Sequence, residues 1–205
     1  MITEYNYYYF KGALSKILCD DIVEYANSKK QHTAITGAGN SQILEGLGLE
    51  RSLKKRNSNI IWLEDLWIWK EIFPFVLEAN RKAKWNFEIL NSETTQFTKY
   101  DVGQYYGWHQ DSDGIPYLNG NNKGLIRKLS VTVSLSYPED YEGGFLEFDF
   151  KKYDADLKQK KHKCMEILPR GSVCVFPSHT WHRVTPVTKG TRLSLVQWNL
   201  GNPFK

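Results

Sequence analysis

The chain has 205 residues, enough for one domain with a full core. A hydrophobic fraction of 41% and an aromatic fraction of 14% exclude a disordered polymer. Twenty-seven basic and 23 acidic side chains leave a net charge of +4, which neither demands nor excludes a polyanionic partner.

In chain order, the Tyr-rich stretch Met1 to Phe10 reads as an opening strand. Ser15 is a helix N-cap candidate. Ile17, Leu18, Ile22, Val23 and Ala26 follow on a helical stripe through about Ser28. From Lys29 to Asn59 the pattern dissolves among glycines, and a stretch of that length reads as either a lid or a tolerated insertion. A second helix is expected over roughly Leu63 to Lys82, with Trp67, Ile72, Phe73, Phe75 and Val76 on its apolar face. Pro74 should kink it or break it in two.

After Trp85 the period changes to two. Asn86 to Leu90, Thr94 to Lys99, Arg127 to Ser136, Phe145 to Phe150, Cys164 to Leu168, Ser172 to Phe176, His182 to Val187 and Thr191 to Asn199 read as strands. Gly103, the loop Ser112 to Gly124, Pro138 to Gly144, Pro169 to Gly171 and Lys189-Gly190 read as turns. The Gly143-Gly144 pair suggests close backbone approach. Lys151 to Lys163 is polar and expected to loop out; its basic part, Lys158 to Lys163, reads as solvated and not as a nucleic-acid arm.

The expectation is one domain over residues 1–205. Helical support spans about 1–85, and a jelly roll (double-stranded β-helix) spans about 86–200, with the helices packed on one sheet. The fold class is thus α+β, mainly β, with an immunoglobulin-type sandwich as the weaker alternative. Three cysteines, Cys19, Cys164 and Cys174, sit at unrelated spacings and read as small core residues. No apolar segment reaches membrane-spanning length and no signal-peptide pattern opens the chain, so the expectation is a cytoplasmic protein with no membrane partner.

The chemistry concentrates between Tyr100 and Asp111. Residues i and i+2 of a strand share a face, so His109 and Asp111 are expected to leave a sheet side by side. His182 is the candidate third ligand. Two imidazoles and one carboxylate on one face of a metal leave the opposite positions open, which suits non-heme Fe(II). A lone His-x-Asp is also an ordinary surface pair; the residues around it raise its weight. Arg192, ten residues beyond His182, can grip a carboxylate with two nitrogens. Ser194 should share its face. This order of ligands and clamp is what a 2-oxoglutarate-dependent oxygenase requires. His179 is a spare imidazole, while His32 and His162 sit in polar loops.

Several motifs then resemble the prolyl 4-hydroxylase-like Fe(II)/2-oxoglutarate oxygenases, including the bacterial PKHD-type hydroxylases, over about Ser15 to Trp198. The most specific is Tyr100, Gly103, Gln104, Tyr106, His109 and Asp111 in register. Arg127 to Leu135, Glu142 to Phe148, and Phe176 to Arg192 follow in the family's order.

The resemblance implies Fe(II) on His109, Asp111 and His182, with Arg192 on the distal carboxylate of 2-oxoglutarate. Ser194 is a helper there, and Tyr100 lines the cosubstrate pocket. O2 is the second cosubstrate, and ascorbate is a candidate further ligand. Arg127, Trp198 and Tyr106 fall where relatives contact substrate, although Trp198 also suits a core position and Arg127 a surface charge. The family's Arg in place of Lys at position 192 points to the PKHD or oxygen-sensing branches. One departure is Ser134, which stands where oxygen-sensing relatives place a tyrosine on the distal carboxylate.

The implied activity is hydroxylation of a C–H bond, with release of succinate and CO2. A peptide or protein substrate, with prolyl as the target residue, is the leading reading. A free amino acid or other small molecule is the alternative, and a non-catalytic metal-binding jelly roll ranks below both. No nucleic-acid partner is expected, because the second arginine of the demethylase pattern is missing after Arg192.

Overall fold

The computed structural model describes residues 5–34, 55–150 and 161–204. It is mostly β. Its strands are β1 (Tyr8–Phe10), β2 (His32–Thr33), β3 (Arg56–Asn57), β4 (Asn59–Leu63), β5 (Asn91–Ser92), β6 (Thr95–Tyr100), β7 (Tyr105–His109) and β8 (Ile126–Ser134). They continue as β9 (Tyr141–Gly143), β10 (Leu146–Asp149), β11 (Lys161–Lys163), β12 (Val173–Pro177), β13 (Trp181–Val184), β14 (Val187–Gly190) and β15 (Arg192–Gly201). Among the described residues, two helices, α1 (Lys16–Asn27) and α2 (Leu66–Lys82), precede most of them.

Among the described residues, the major sheet runs β1-β12-β8-β15-β6-β4-β2, with β5 also paired to β15. The minor sheet runs β11-β10-β13-β7-β3, and β14 pairs β9 in a small ribbon. Every pairing is antiparallel, and the two sheets form the double-stranded β-helix expected from the strand pattern.

Strand alternation explains the layers. On the major sheet Phe97, Leu129, Val131, Val133, Val175 and Leu195 join one core with Ile22, Ile68, Ile72 and Val76 of the helices. The helices therefore cover the sheet's outer face. The alternate residues of the same strands, Ser130, Thr132, Ser194 and Phe176, turn toward the minor sheet. There Phe148, Leu146, Cys164, Cys174 and Phe176 make a second core behind the site. Full burial of each such aliphatic or aromatic side chain contributes roughly 1.5–3 kcal/mol. All three cysteines are buried and unpaired, as expected.

Ser15 caps α1, its Oγ accepting from the Leu18 amide at 3.1 Å. Cys19, Ile22 and Ala26 form the buried face, while Ile17 is 74% exposed, contrary to the expected stripe. At 3.6 residues per turn it lies roughly 160° from Cys19.

The second helix begins later than expected, because Asn59–Leu63 pairs with β6 as β4 instead. Pro74 does not divide it; the helix continues through the exposed proline as one element. Burial of Ile68, Ile72, Val76 and Ala79 on both sides outweighs the lost hydrogen bond.

Asn86 to Leu90 is not a strand. Trp85, Phe87 and Ile89 alternate because they pack against the helical core. Lys84 and Asn86 take positive φ, and the Asn80 amide holds Phe87 at both its N–H (2.9 Å) and its carbonyl (2.8 Å).

Cys164 to Leu168 forms a 3-10 turn over Met165–Ile167 in place of a strand. Conversely, Tyr141–Gly143 and Lys161–Lys163 pair as strands where a turn and a loop were expected, and the expected Lys189-Gly190 turn falls inside the strand Val187–Gly190. Most of the lid reading, and residues 151–160 of the polar stretch, lie outside the described residues.

Candidate metal and cosubstrate site

His109 on β7 and His182 on β13 are direct partners in an antiparallel pair, so their rings leave the minor sheet together, with centroids 4.1 Å apart. The Nδ1 of His109 lies 2.8 Å from the Gly107 carbonyl, and that of His182 lies 2.9 Å from the Thr180 carbonyl. A carbonyl only accepts, so each Nδ1 carries a proton, and the Nε2 of each ring faces the site.

Asp111 departs from the expectation that a strand aligns it with His109. β7 ends at His109, and Asp111 lies two residues beyond. Its amide and that of Ser112 both donate to the Ser178 carbonyl, at 2.9 and 3.0 Å, which turns the chain across the gap between the sheets. The carboxylate still arrives at the imidazoles. Oδ1 is 3.6 Å from His109 Nε2, and Oδ2 is 3.6 Å from His182 Nε2. One donor atom from each of the three residues lies within 4.8 Å of the others, and all three side chains are almost fully buried.

Electrostatics keep this set ready to coordinate. Burial, with His109 nearby, pushes His182 down to about 4, so it is neutral near pH 7. Burial alone would raise the Asp111 carboxyl; His182, His109 and Arg127 override it and hold the group below the ordinary carboxylate range. Two imidazoles and one carboxylate, each imidazole fixed through its other nitrogen, fit a divalent iron ion with open positions.

Behind the triad the pocket continues between the sheets to Arg192. Arg192 is 4% exposed and faces Tyr100 across the β15–β6 pair, its guanidinium carbon 5.5 Å from that ring. Its Nη1 donates to Ser194 Oγ at 3.1 Å, as their shared face requires. Among the described residues no carboxylate pairs with it. A buried cation left this way calls for an anionic ligand, which fits the far carboxylate of 2-oxoglutarate. Ser134 stands off this pocket, with its hydroxyl donating to the Ile167 carbonyl at 2.6 Å.

On the open side, the Tyr106 ring stacks on His109 at 3.5 Å between centroids. Burial pushes its hydroxyl up to about 12, so it stays protonated. Trp198 lines the pocket at 6% exposure, and its Nε1 has no partner among the described residues. Arg127 is bound to Glu93 and is not a free surface charge.

Sequence reasoning missed Arg56, Gln96 and Thr132, which also line the pocket, and Ser130, whose hydroxyl donates to Asp111 Oδ2 at 2.7 Å. Arg56 was legible only as the lead into an element. Its buried guanidinium lies 4.6 Å from the Tyr106 ring centre, a contact that depends on pairing β3 with β7.

The model of the 2OG-Fe(II) oxygenase superfamily matches residues 95–199, from the start of β6 nearly to the end of β15. The chain belongs to that superfamily.

Among curated proteins it is similar to a PKHD-type hydroxylase of Methylobacillus flagellatus, 37% identical over 102 residues, covering 50% of this chain and 40% of that protein. A PKHD-type hydroxylase of Gloeothece citriformis is 42% identical over 106 residues, with the same coverage. The match therefore spans about two fifths of the length of these relatives.

Among solved structures, the viral collagen prolyl hydroxylase of Paramecium bursaria Chlorella virus-1 in its 2OG complex superposes with a TM-score of 0.64 at 24% identity, covering 97% of each chain. A Pseudomonas putida prolyl-4-hydroxylase gives 0.63 at 17% identity, covering 96% of this chain and 92% of that one. A Trichoplax adhaerens prolyl hydroxylase, in complex with a hypoxia inducible factor peptide fragment, gives 0.61 at 16%, covering 95% and 83%. These likenesses show the fold. Among the described residues, no helix is long and apolar enough to cross a membrane.

Proposed function

We propose that the chain is an Fe(II)- and 2-oxoglutarate-dependent dioxygenase that hydroxylates a C–H bond of a peptide or protein, at a prolyl residue, releasing succinate and CO2. The observation that carries this reading is the buried His109–Asp111–His182 set opening onto Arg192, a buried guanidinium with no carboxylate partner among the described residues. A binding module has no need of both.

Iron held there would supply oxidative decarboxylation of 2-oxoglutarate and transfer of an oxygen atom to the substrate. The chain's own residues do the positioning. His109, Asp111 and His182 are the ligands. Arg192 and Ser194 hold the distal carboxylate, and Tyr100 closes the pocket beside it. Leu146, Phe176 and Val184 line the same pocket and exclude water from the reacting centre. Tyr106, Arg127 and Trp198 form the substrate side. Support for a peptide comes from the shared fold with a prolyl hydroxylase solved with a peptide fragment.

A second reading, hydroxylation of a free amino acid, is favoured by Arg56. It is another buried guanidinium on the pocket wall without a carboxylate partner among the described residues, suited to a small substrate's own carboxylate.

The test has two stages. Metal-free protein is given Fe(II) and 2-oxoglutarate without oxygen, and the visible charge-transfer band of the chelate is sought. Its appearance in wild type and its loss in His182→Ala support the dioxygenase; wild type that binds iron but never chelates 2-oxoglutarate overturns it. Succinate release is then compared with a Pro-containing peptide and with free proline. Stimulation by the free amino acid alone selects the second reading.

A further inference from the structure

Asp111 lies past the end of β7, so the sheet does not orient its carboxylate. Two serines on the opposite sheet do. Ser130, on β8, donates from Oγ to Asp111 Oδ2 at 2.7 Å. Ser178, just after β12, has its Oγ 2.9 Å from Ser130 Oγ. Both residues are completely buried.

The proton order in this chain follows from counting. A carboxylate oxygen only accepts, so the single Ser130 proton goes to Asp111. Ser178 must then donate to Ser130. Aligned hydroxyls of this kind polarise one another, which strengthens the bond to the carboxylate.

Ser178 is itself fixed three ways. Its amide donates to the Lys128 carbonyl at 2.9 Å, and its carbonyl accepts from the amides of Asp111 and Ser112. One short segment of chain thus holds both the backbone of Asp111 and, through Ser130, its side chain.

We propose that Ser130, oriented by Ser178, is a positioning residue for the metal site. It occupies Asp111 Oδ2 with a hydroxyl proton and leaves Oδ1 as the oxygen that binds a divalent ion. The inference rests on the reading of His109, Asp111 and His182 as a metal site, and it adds a role for two serines outside that set. A hydroxyl on one oxygen disfavours a carboxylate that grips the ion with both.

The experiment uses the full chain and Co(II) alone, without 2-oxoglutarate or oxygen. Affinity is measured by competition with a chelator, and coordination by the visible Co(II) spectrum. Ser130→Ala is expected to weaken Co(II) binding about 10- to 100-fold and to shift the spectrum in protein that still folds. Ser130→Thr keeps the hydroxyl and is expected to bind within about threefold of wild type, while Ser178→Ala weakens binding less than Ser130→Ala does.

Folded Ser130→Ala that binds Co(II) with wild-type affinity and spectrum overturns the proposal. If Ser130→Ala gives no folded protein, Ser178→Ala decides it, and unchanged affinity there overturns it equally. Wild type that fails to bind Co(II) defeats the metal-site reading itself, whereas wild type that binds beside an unaffected Ser130→Ala defeats only the relay.

Discussion

The Arg127 guanidinium carbon lies 4.0 Å from the centre of the Trp198 ring, while Nε and Nη2 of the same group engage the Glu93 carboxylate at 2.7 and 2.5 Å. Tyr117 donates to the same carboxylate at 2.7 Å, and Arg127 Nη1 lies 3.4 Å from the Asp111 carbonyl. The arginine is thus held over the Trp198 ring and beside the backbone of Asp111. Replacing it should affect the substrate and spare the cosubstrate. Arg127→Ala is expected to raise KM for the substrate by about 10- to 100-fold, the loss of one charge-assisted contact of roughly 1.5–3 kcal/mol. 2-Oxoglutarate affinity, followed by the chelate band, should stay at the wild-type value. Equal weakening of both ligands would contradict this division of the pocket.

Arg192 offers a sharper comparison. Its planar fork can meet a carboxylate with two N–H groups, which a lysine ammonium cannot match. Arg192→Lys should retain metal binding yet weaken 2-oxoglutarate about tenfold, and Arg192→Ala should weaken it about a hundredfold or more. Titration of the chelate band gives both values. Lysine at wild-type affinity would mean that charge alone, without the fork, holds the ligand.

Gly144 makes room for that arginine. A Cβ at this position would lie 2.8 Å from Arg192 Cδ and 3.0 Å from Val187 Cγ2, and its φ of +60° already disfavours other residues. Gly144→Ala should therefore displace the Arg192 stem and lower 2-oxoglutarate affinity while leaving Co(II) binding intact. The backbone adds a stability cost of about 1–2 kcal/mol. Denaturant unfolding and ligand titration on the same preparation separate the two effects.

Phe148 is fully buried in the second core, stacked on Tyr7 with ring centroids 5.2 Å apart and edge-on to Phe176 at 5.1 Å. Phe148→Ala removes the ring that backs His182. It should cost about 3–5 kcal/mol in unfolding free energy, readable as a lower denaturant midpoint with an unchanged slope. A midpoint within error of wild type would show that the cavity closes at no cost.

Asn80 tests the stretch misread as a strand. Its amide satisfies both backbone groups of Phe87, and it is 9% exposed. Asn80→Ala leaves a buried donor and acceptor unpaired and should destabilise the protein by roughly 1–3 kcal/mol. Metal binding should not change, since the site lies on the other face of the major sheet.

Much of the site was legible because its signals are local. His109 with Asp111, and Arg192 with Ser194, were read from residue type and an i, i+2 spacing, while His182 lies far downstream and was preferred to His179 for its place in the His-Arg-Val motif. Arg192 and Ser194 do share a face, because β15 is a regular strand in which positions i and i+2 must agree. The same rule reached the right neighbours for Asp111 by the wrong route. Asp111 comes to His109 through the Ser178 carbonyl and Ser130, residues far off in sequence, and no strand carries it there. Asn86 to Leu90 shows the converse. Alternating burial against helices produces the period of a strand without a ladder.

Residue order alone specifies the alternation that builds both sheets, the capped first helix, and the residue types that gather at the candidate site. Those depend on interactions between near neighbours, and side-chain period and cap chemistry are written in the residue order. It takes the folded chain to bring Arg56 into the pocket, to lock Arg127 between Glu93 and Trp198, and to set the Ser130 hydroxyl, itself bonded to Ser178, on the carboxylate of Asp111. Each of these is a cross-strand or cross-sheet contact set by pairing register. A shift of one residue would turn any of these side chains to the opposite face, and the burial of the whole sheet, not the local sequence, is what forbids that shift.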